Sequence, residues 1–256
     1  MRPFVYFALV CALTVPFWIA GANGAELMPG LPVSAFAVVC PTLAASILVF
    51  SHGGTKAVKD LLARSGDWRR VKPAVRFVPI LLLMPVTYVL SFFIMRALGM
   101  PLPQPVFPAV GQIAFLIVLF LVGAASEEIG WSGYALDGLQ TRFTPLIASL
   151  ILGAVWAIWH YVALLEIARP LGWIAGWTVS TIAMRMVMVA IYNNAGRSVF
   201  AVTLLHAGNN LCWQLFPNRG SYYDPRVTGA ILAATAIGIA LFGWFRVPTP
   251  IKDATT

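Results

Sequence analysis

The sequence predicts an all-α protein, a polytopic transmembrane helical bundle of about eight helices with a short amphipathic cytoplasmic helix. Three observations predict it. Of the 256 residues, 60% are hydrophobic and only 10% are charged. The apolar residues fall in eight stretches of membrane-spanning length, and the basic residues collect in the loops on one side. An ordinary soluble domain carries about 45–50% apolar and about 25% charged residues. A globular core could not hide this excess of apolar surface, so lipid is the expected solvent. Spans and short loops use nearly all of the length, and residues 1–256 read as a single integral membrane domain.

The eight stretches lie at roughly 4–21, 33–51, 76–98, 108–127, 146–165, 173–192, 198–216 and 227–246, each near the 17–25 residues a tilted helix needs. The first follows Arg2 and ends near Ala20-Gly21-Ala22, which also fits a cleaved secretory signal. Its apolar run is longer than a usual signal core, so it is taken as a span. Pro32, Pro145 and Pro225 stand near helix starts, where a missing N–H costs little. Pro41 and Pro85 lie inside spans, where neighbouring helices can satisfy the carbonyls that they free.

Between the second and third spans lie Lys56, Lys59, Arg64, Arg69, Arg70, Lys72 and Arg76. With Arg2, Arg142, Arg197, Arg246 and Lys252 they put twelve of the 17 basic residues on one side. Arg96, Arg169, Arg219 and Arg226 are on the other, and Arg185 falls within a span. The positive-inside bias predicts a multi-pass protein of the cell membrane with both termini cytoplasmic. Within the long basic loop, Thr55 to Arg64 puts Val58, Leu61 and Leu62 on one face, which fits a short helix lying on the membrane surface. A solvated linker fits it equally. The net charge of +8 does not indicate nucleic acid, because the basic residues sit in short juxtamembrane runs without aromatic interleaving. Cys11, Cys40 and Cys212 lie in apolar stretches, form no C-x-x-C pair, and read as small buried apolar residues.

The informative residues are polar ones at membrane depth, where a charge costs at least about 2.5–3.5 kcal/mol and faces a cavity or a partner. They are Glu127 and Glu128 at the end of the fourth span, His160 in the fifth, Arg185 in the sixth, and His206, Asn209 and Asn210 in the seventh. His206 and Asn210, four apart, share a helix face, as do Trp156 and His160. Glu127 and Glu128 are about 100° apart round the helix, so they cannot both aim at one point. One can face a reaction centre while another group holds the second. Trp156 and Trp159 read as packing or pore-wall residues. Asn209 reads as a helix–helix hydrogen-bonding group, and Asn193 and Asn194 as a helix terminus and loop.

Ser126-Glu127-Glu128-Ile129-Gly130-Trp131-Ser132-Gly133-Tyr134 resembles the E-E-x-x-x-R motif of the CAAX-protease and bacteriocin-processing family of intramembrane proteases (CPBP, with Abi and Rce1-like members). Trp156-x-x-x-His160 resembles that family's second motif, an aromatic followed by His, and His206-x-x-x-Asn210 resembles its third. The three occur in the family's order over residues 126–210. One position departs: Ser132 stands where the family has Arg. Arg185 is a candidate for the missing positive charge, because it and Glu128 are both unpaired in the sequence at membrane depth.

The resemblance implies a peptidase acting on a membrane-associated peptide or prenylated C-terminus, with membrane lipid as its surroundings and no nucleic acid. It implies Glu127 as general base and His160 orienting the same water. Glu128, His206 and Asn210 complete the candidate site, with His206 and Asn210 able to donate to a tetrahedral oxyanion. A divalent metal such as zinc is the competing reading, held by His160, His206 and Glu127 or Glu128. No H-E-x-x-H is present, and Asn210 is a poorer zinc ligand than oxyanion donor, so the metal-free site is favoured. The chemistry requires a polar cavity, which opens to the cytoplasmic side if the glutamates lie near that end of the fourth span. Two other functions remain open: a non-catalytic bacteriocin-immunity or scaffold protein, and a proton-coupled transporter, since intramembrane Glu, His and Arg also relay protons.

Overall fold

A computed structural model describes residues 1–24, 26–28 and 31–245. Among them are eight long helices: α1 (Pro3–Ala22), α2 (Cys40–Ala63), α3 (Phe77–Ala97), α4 (Val110–Gly130), α6 (Pro145–Glu166), α7 (Leu171–Asn194), α8 (Val199–Leu215) and α9 (Pro225–Leu241). A single turn, α5 (Asp137–Gln140), follows α4. Six helical segments are long and apolar enough to cross a membrane, so the chain is a multi-pass helical membrane protein. The seventh and eighth expected spans, α8 and α9, are each 17 residues long and are not among the six. A short ribbon of Glu26–Met28 against Leu31–Pro32 is a small addition to the all-α expectation. Arg246, Lys252 and the last residue of the eighth expected span lie outside the described residues.

Three boundaries differ from expectation. Residues Val33–Val39 are 3-10 helix, and α-helix begins at Cys40. Gly54 has φ 62°, ψ −157° and breaks α2 there, a backbone conformation that favours glycine. Beyond the break the surface helix forms, with Leu61 buried and Val58 half-buried, while Leu62 is 40% exposed and leaves the expected face. The largest difference follows α4. The helix does not stop near residue 127. It continues through a π-helical turn, Trp131–Leu136, into α5, a 31-residue path from Val110 to Gln140. Glu128 therefore lies about 18 Å from the Gln140 end at 1.5 Å per residue, not at the last turn of the helix.

Packing explains how polar side chains come to face one another. Phe93, Phe115, Val118 and Ile158 are exposed, as lipid-facing residues are. Cys11 also points outward, against the expectation that all three cysteines are buried; Cys40 is buried and Cys212 half-buried. By contrast α7 is the most enclosed of the six spans, with 56% of its apolar window buried against 22% for α1. It packs on α6 and α9, while α8 packs on α3 and α4. Small residues permit the close crossings. A Cβ on Gly130 would fall 2.3 Å from the Pro41 carbonyl oxygen, and one on Gly153 would fall 3.1 Å from Ile182 Cα.

The starts of α6 and α8 are capped by side chains. Thr144 Oγ1 accepts from the Ile147 N–H at 3.3 Å, next to Pro145. At α8 there are two caps. Ser198 Oγ accepts from Ala201 N–H at 3.1 Å, and Asp67 from the basic loop accepts from Val199 N–H, Phe200 N–H and Ser198 Oγ–H at 3.3, 3.1 and 2.7 Å. A carboxylate at a helix N-terminus also complements the helix dipole.

Candidate functional site

Three of the five candidate residues and Arg185 meet around one indole ring, that of Trp156, and Glu128 joins them through Arg185 and His206. The indole Nε1–H donates to Glu127 Oε2 at 2.8 Å. The His206 ring lies 5.1 Å from it and the His160 ring 5.5 Å, both edge-on. Arg185 covers it with Cζ 4.1 Å from the ring centroid, in cation–π geometry. Thus α4, α6, α7 and α8 each contribute to a single cluster. The close α6–α7 crossing at Gly153 brings Arg185 and Trp156 into register, since the Arg185 Cβ is itself 3.3 Å from the Cβ position of that glycine.

The two glutamates are held very differently. Glu128 and Arg185 are both fully buried. Arg185 Nη1–H donates to Glu128 Oε2 at 2.8 Å and Nη2–H to Oε1 at 3.0 Å. Ser132 Oγ–H donates to Oε2 at 2.5 Å, and His206 Nδ1–H to Oε1 at 3.0 Å. A carboxylate has about four lone-pair directions, and all of them are occupied. Glu127, 5% exposed, has one hydrogen bond among the described residues, from Trp156. Its remaining lone pairs have no hydrogen-bond partner among the described residues. This is the division that adjacent glutamates on one helix require, and Arg185 is the cation that the unpaired charges pointed to.

The histidines are oriented by what their Nδ1 atoms do. His160 Nδ1–H donates to the Trp156 carbonyl at 2.8 Å, and its ring is boxed by Trp159 and Trp177, at 4.7 and 5.2 Å. His206 Nδ1–H is committed to Glu128. In each ring Nε2 is left as the working nitrogen. His206 Nε2 therefore accepts when the ring is neutral and donates only as imidazolium, which narrows the expected oxyanion role. Asn210 does not join the cluster. Its Oδ1 accepts from Asn209 Nδ2–H at 3.3 Å, and Asn209 in turn ties α8 to α3 by accepting from Tyr88 Oη–H at 3.2 Å.

The competing zinc set fits this donor arrangement poorly. Among the described residues no three His, Cys, Asp or Glu side chains stand together as a group that could hold a metal ion. Glu128 has no lone pair to spare, and the Trp156 ring lies against both imidazoles. The cavity also differs from the expected polar one. The pocket bordering His160 has a volume of about 240 Å³ and is lined almost wholly by apolar side chains, among them Trp18, Val38, Trp159 and Leu164. It lies toward the ends of α1 and α6 that face away from the basic loop.

Sequence reasoning underrated Trp156. An apolar-helix Trp is usually a packing residue; the available signal was its position one turn before His160, which puts its N–H on the same face. Trp159 does pack, with Nε1–H donating to Thr14 Oγ1 at 2.9 Å. A second knot went unread altogether. On the basic-loop side, Asp137 Oδ2 accepts from Arg64 Nη1–H at 3.1 Å, and Oδ1 accepts from Tyr192 Oη–H at 2.8 Å and from Arg197. Arg64 also reaches the Gly133 carbonyl at 2.6 Å, in the π-turn.

Fold and site together define a class: a multi-pass helical membrane protein with carboxylates, imidazoles and one guanidinium enclosed between its helices. Residues 109–212 match the family model described as type II CAAX prenyl endopeptidase Rce1-like. That segment contains Glu127, Glu128, His160, Arg185 and His206, and over it the chain is similar to that family. Among curated proteins the chain is similar to "CAAX prenyl protease 2" of Methanococcus maripaludis, 28% identical over 175 residues. That alignment covers 62% of this chain and 62% of the length of the relative.

Proposed function

We propose that the protein is an intramembrane endopeptidase that hydrolyses a membrane-associated peptide, with Glu127 as the general base. The observation that carries this reading is the asymmetry of the two glutamates. Glu128 is saturated by four donors, while Glu127 is fixed by one and keeps free acceptor capacity. A general base must be within hydrogen-bond reach of the water that it deprotonates. Glu127 is oriented for that by Trp156 and has the Nε2 faces of two imidazoles nearby. His160 Nε2 orients the same water as an acceptor. His206, once protonated, donates Nε2–H to the oxyanion that forms when hydroxide adds to the scissile carbonyl. The proton taken by Glu127 then passes to the leaving amine.

The relative's name suggests the substrate class, a prenylated C-terminal peptide. The apolar pocket beside His160 supports that class, because it offers a hydrocarbon chain a berth next to the reacting groups and opens where lipid would be. In this proposal the protein is in the cell membrane with both termini cytoplasmic.

The test is cleavage of C-terminal peptides with and without an isoprenoid group by the purified protein in lipid nanodiscs. Glu127→Gln lowers kcat by about 10²–10⁴-fold, the usual worth of a positioned base, and a chelator leaves the wild-type rate unchanged. Full cleavage by Glu127→Gln would overturn the assignment. Loss of cleavage with chelator would restore the metal reading.

A further inference from the structure

We infer that Arg185 is a positioning residue that aligns both arms of the site from one guanidinium. The inference rests on the peptidase reading for its rate arm and on geometry alone for the rest.

The first arm runs to His206. Arg185 grips both oxygens of Glu128 at 2.8 and 3.0 Å. That fixes the carboxylate plane so that Oε1 faces His206 Nδ1 at 3.0 Å. The accepting carboxylate selects the His206 tautomer with the proton on Nδ1, which leaves Nε2 for chemistry. The second arm runs to Glu127. The guanidinium lies 4.1 Å over the Trp156 ring, and that indole holds Glu127 at 2.8 Å through Nε1–H. Arg185 touches neither Glu127 nor His206, so it acts through Trp156 and Glu128.

The side chain is fully buried, so its desolvation is offset only by these contacts. It comes from α7, while Ser132, one turn after Glu128 on its own helix, supplies a hydroxyl. The same charge could have come from position 132. Arg185 Nη1 stands 3.4 Å from Ser132 Oγ, so a cation rooted at either position reaches the same space. The cation has a place in the site that is independent of the helix that delivers it.

The experiment uses full-length protein in nanodiscs with three variants: Arg185→Met, Arg185→Lys and the transposed double variant Ser132→Arg/Arg185→Ser. Two readouts are taken. The first is kcat and KM on the peptide that the wild type cleaves. The second is the tautomer of His206 by ¹⁵N NMR of histidine-labelled protein, with His206→Gln used to assign the signal. Arg185→Met is expected to lower kcat by about 100-fold, as a misplacement of about 1 Å in a supported site does, with KM changed less than about two-fold. The His206 signal loses its Nδ1–H signature. The double variant regains at least about tenfold of the rate and recovers the signature. Arg185→Lys falls between, because an ammonium cannot grip both oxygens.

Wild-type kcat and an unchanged tautomer in Arg185→Met would overturn the proposal. A folded double variant that restores neither readout would also overturn it, and would leave Arg185 a merely structural residue. If Arg185→Met does not fold, the Lys and double variants carry the same two comparisons. If the wild type cleaves no peptide, the peptidase reading fails, while the tautomer arm still decides the role of Arg185.

Discussion

The molecule contains two carboxylate–arginine knots that look alike in composition and differ in surroundings. The inner one joins Glu128 to Arg185, with both side chains at 0% exposure. The outer one joins Asp137 to Arg64 and Arg197, at 12%, 18% and 29%. The inner knot balances one anion with one cation, and all lone pairs of the anion are used. The outer knot has two cations for one anion, and water shares in its solvation. Depth decides what each can do. A half-wet knot ties loops to helix ends and tolerates imperfect matching. In the dry knot the anion is matched on every lone pair, while Arg185 Nε is left without a partner among the described residues, and the rigidity of the matched carboxylate suits it to aim neighbouring groups.

The sharpest way to break the comparison is to remove one anion from each. Glu128→Leu strands Arg185 without a partner in a dry site and is expected to cost about 3–5 kcal/mol. Asp137→Asn keeps one oxygen to accept from Tyr192 and Arg197, loses the bond from Arg64, and is expected to cost about 1–2 kcal/mol, since two cations remain for the other contacts and water reaches the site. Denaturation in mixed detergent and SDS measures both, and equal losses would erase the distinction. A smaller effect comes from Asp67→Ala, which removes one cap of α8 and is expected to cost about 0.5 kcal/mol; Ser198 remains as a second cap.

The smallest effect belongs to a third pair, Asp224 with Arg226, in the loop before α9. Hydrogen bonds from the Arg226 side chain hold the Asp224 carboxyl below its ordinary value of 3.8. A lowered folded-state value means stability that is present above the ordinary value and lost as pH falls through the lower one. The melting-temperature gap between wild type and Asp224→Asn is therefore expected to close on acidification from pH about 6 to about 3. A gap that widens would contradict the pairing.

The eight long helices were legible because hydropathy and helix length report the same quantity, the thickness of the hydrocarbon layer. The pairing of Arg185 with Glu128 was legible for a related reason: two unbalanced charges in apolar runs have few places to go. The π-turn was not legible. Ser132 and Gly133 break the apolar run and look like a helix end, yet Trp131, Ser132 and Leu136 are all buried, and the helix continues because protein surrounds it. Asp137 was passed over for the same reason, since it lies beyond the apparent end. The contact that matters most to Glu127 was hidden by residue type: a tryptophan N–H leaves no trace in an apolar pattern. Asn210 shares a helix face with His206, but a shared face does not fix reach, and its side chain turned to Asn209.

Asp67 gives the basic loop a consequence for the interior. It takes hold of the first turn of α8, and His206 lies about 10 Å further along that helix at 1.5 Å per residue. The helix is thus moored at one end, so that sliding or rotating it means breaking three hydrogen bonds outside the hydrocarbon layer. The depth and compass bearing of an imidazole in mid-bilayer are set by an aqueous loop. Lys56 and Asp60, on the solvated face of the helix that leads into that loop, can be substituted without moving the anchor point. An insertion beside Asp67 would let out the line.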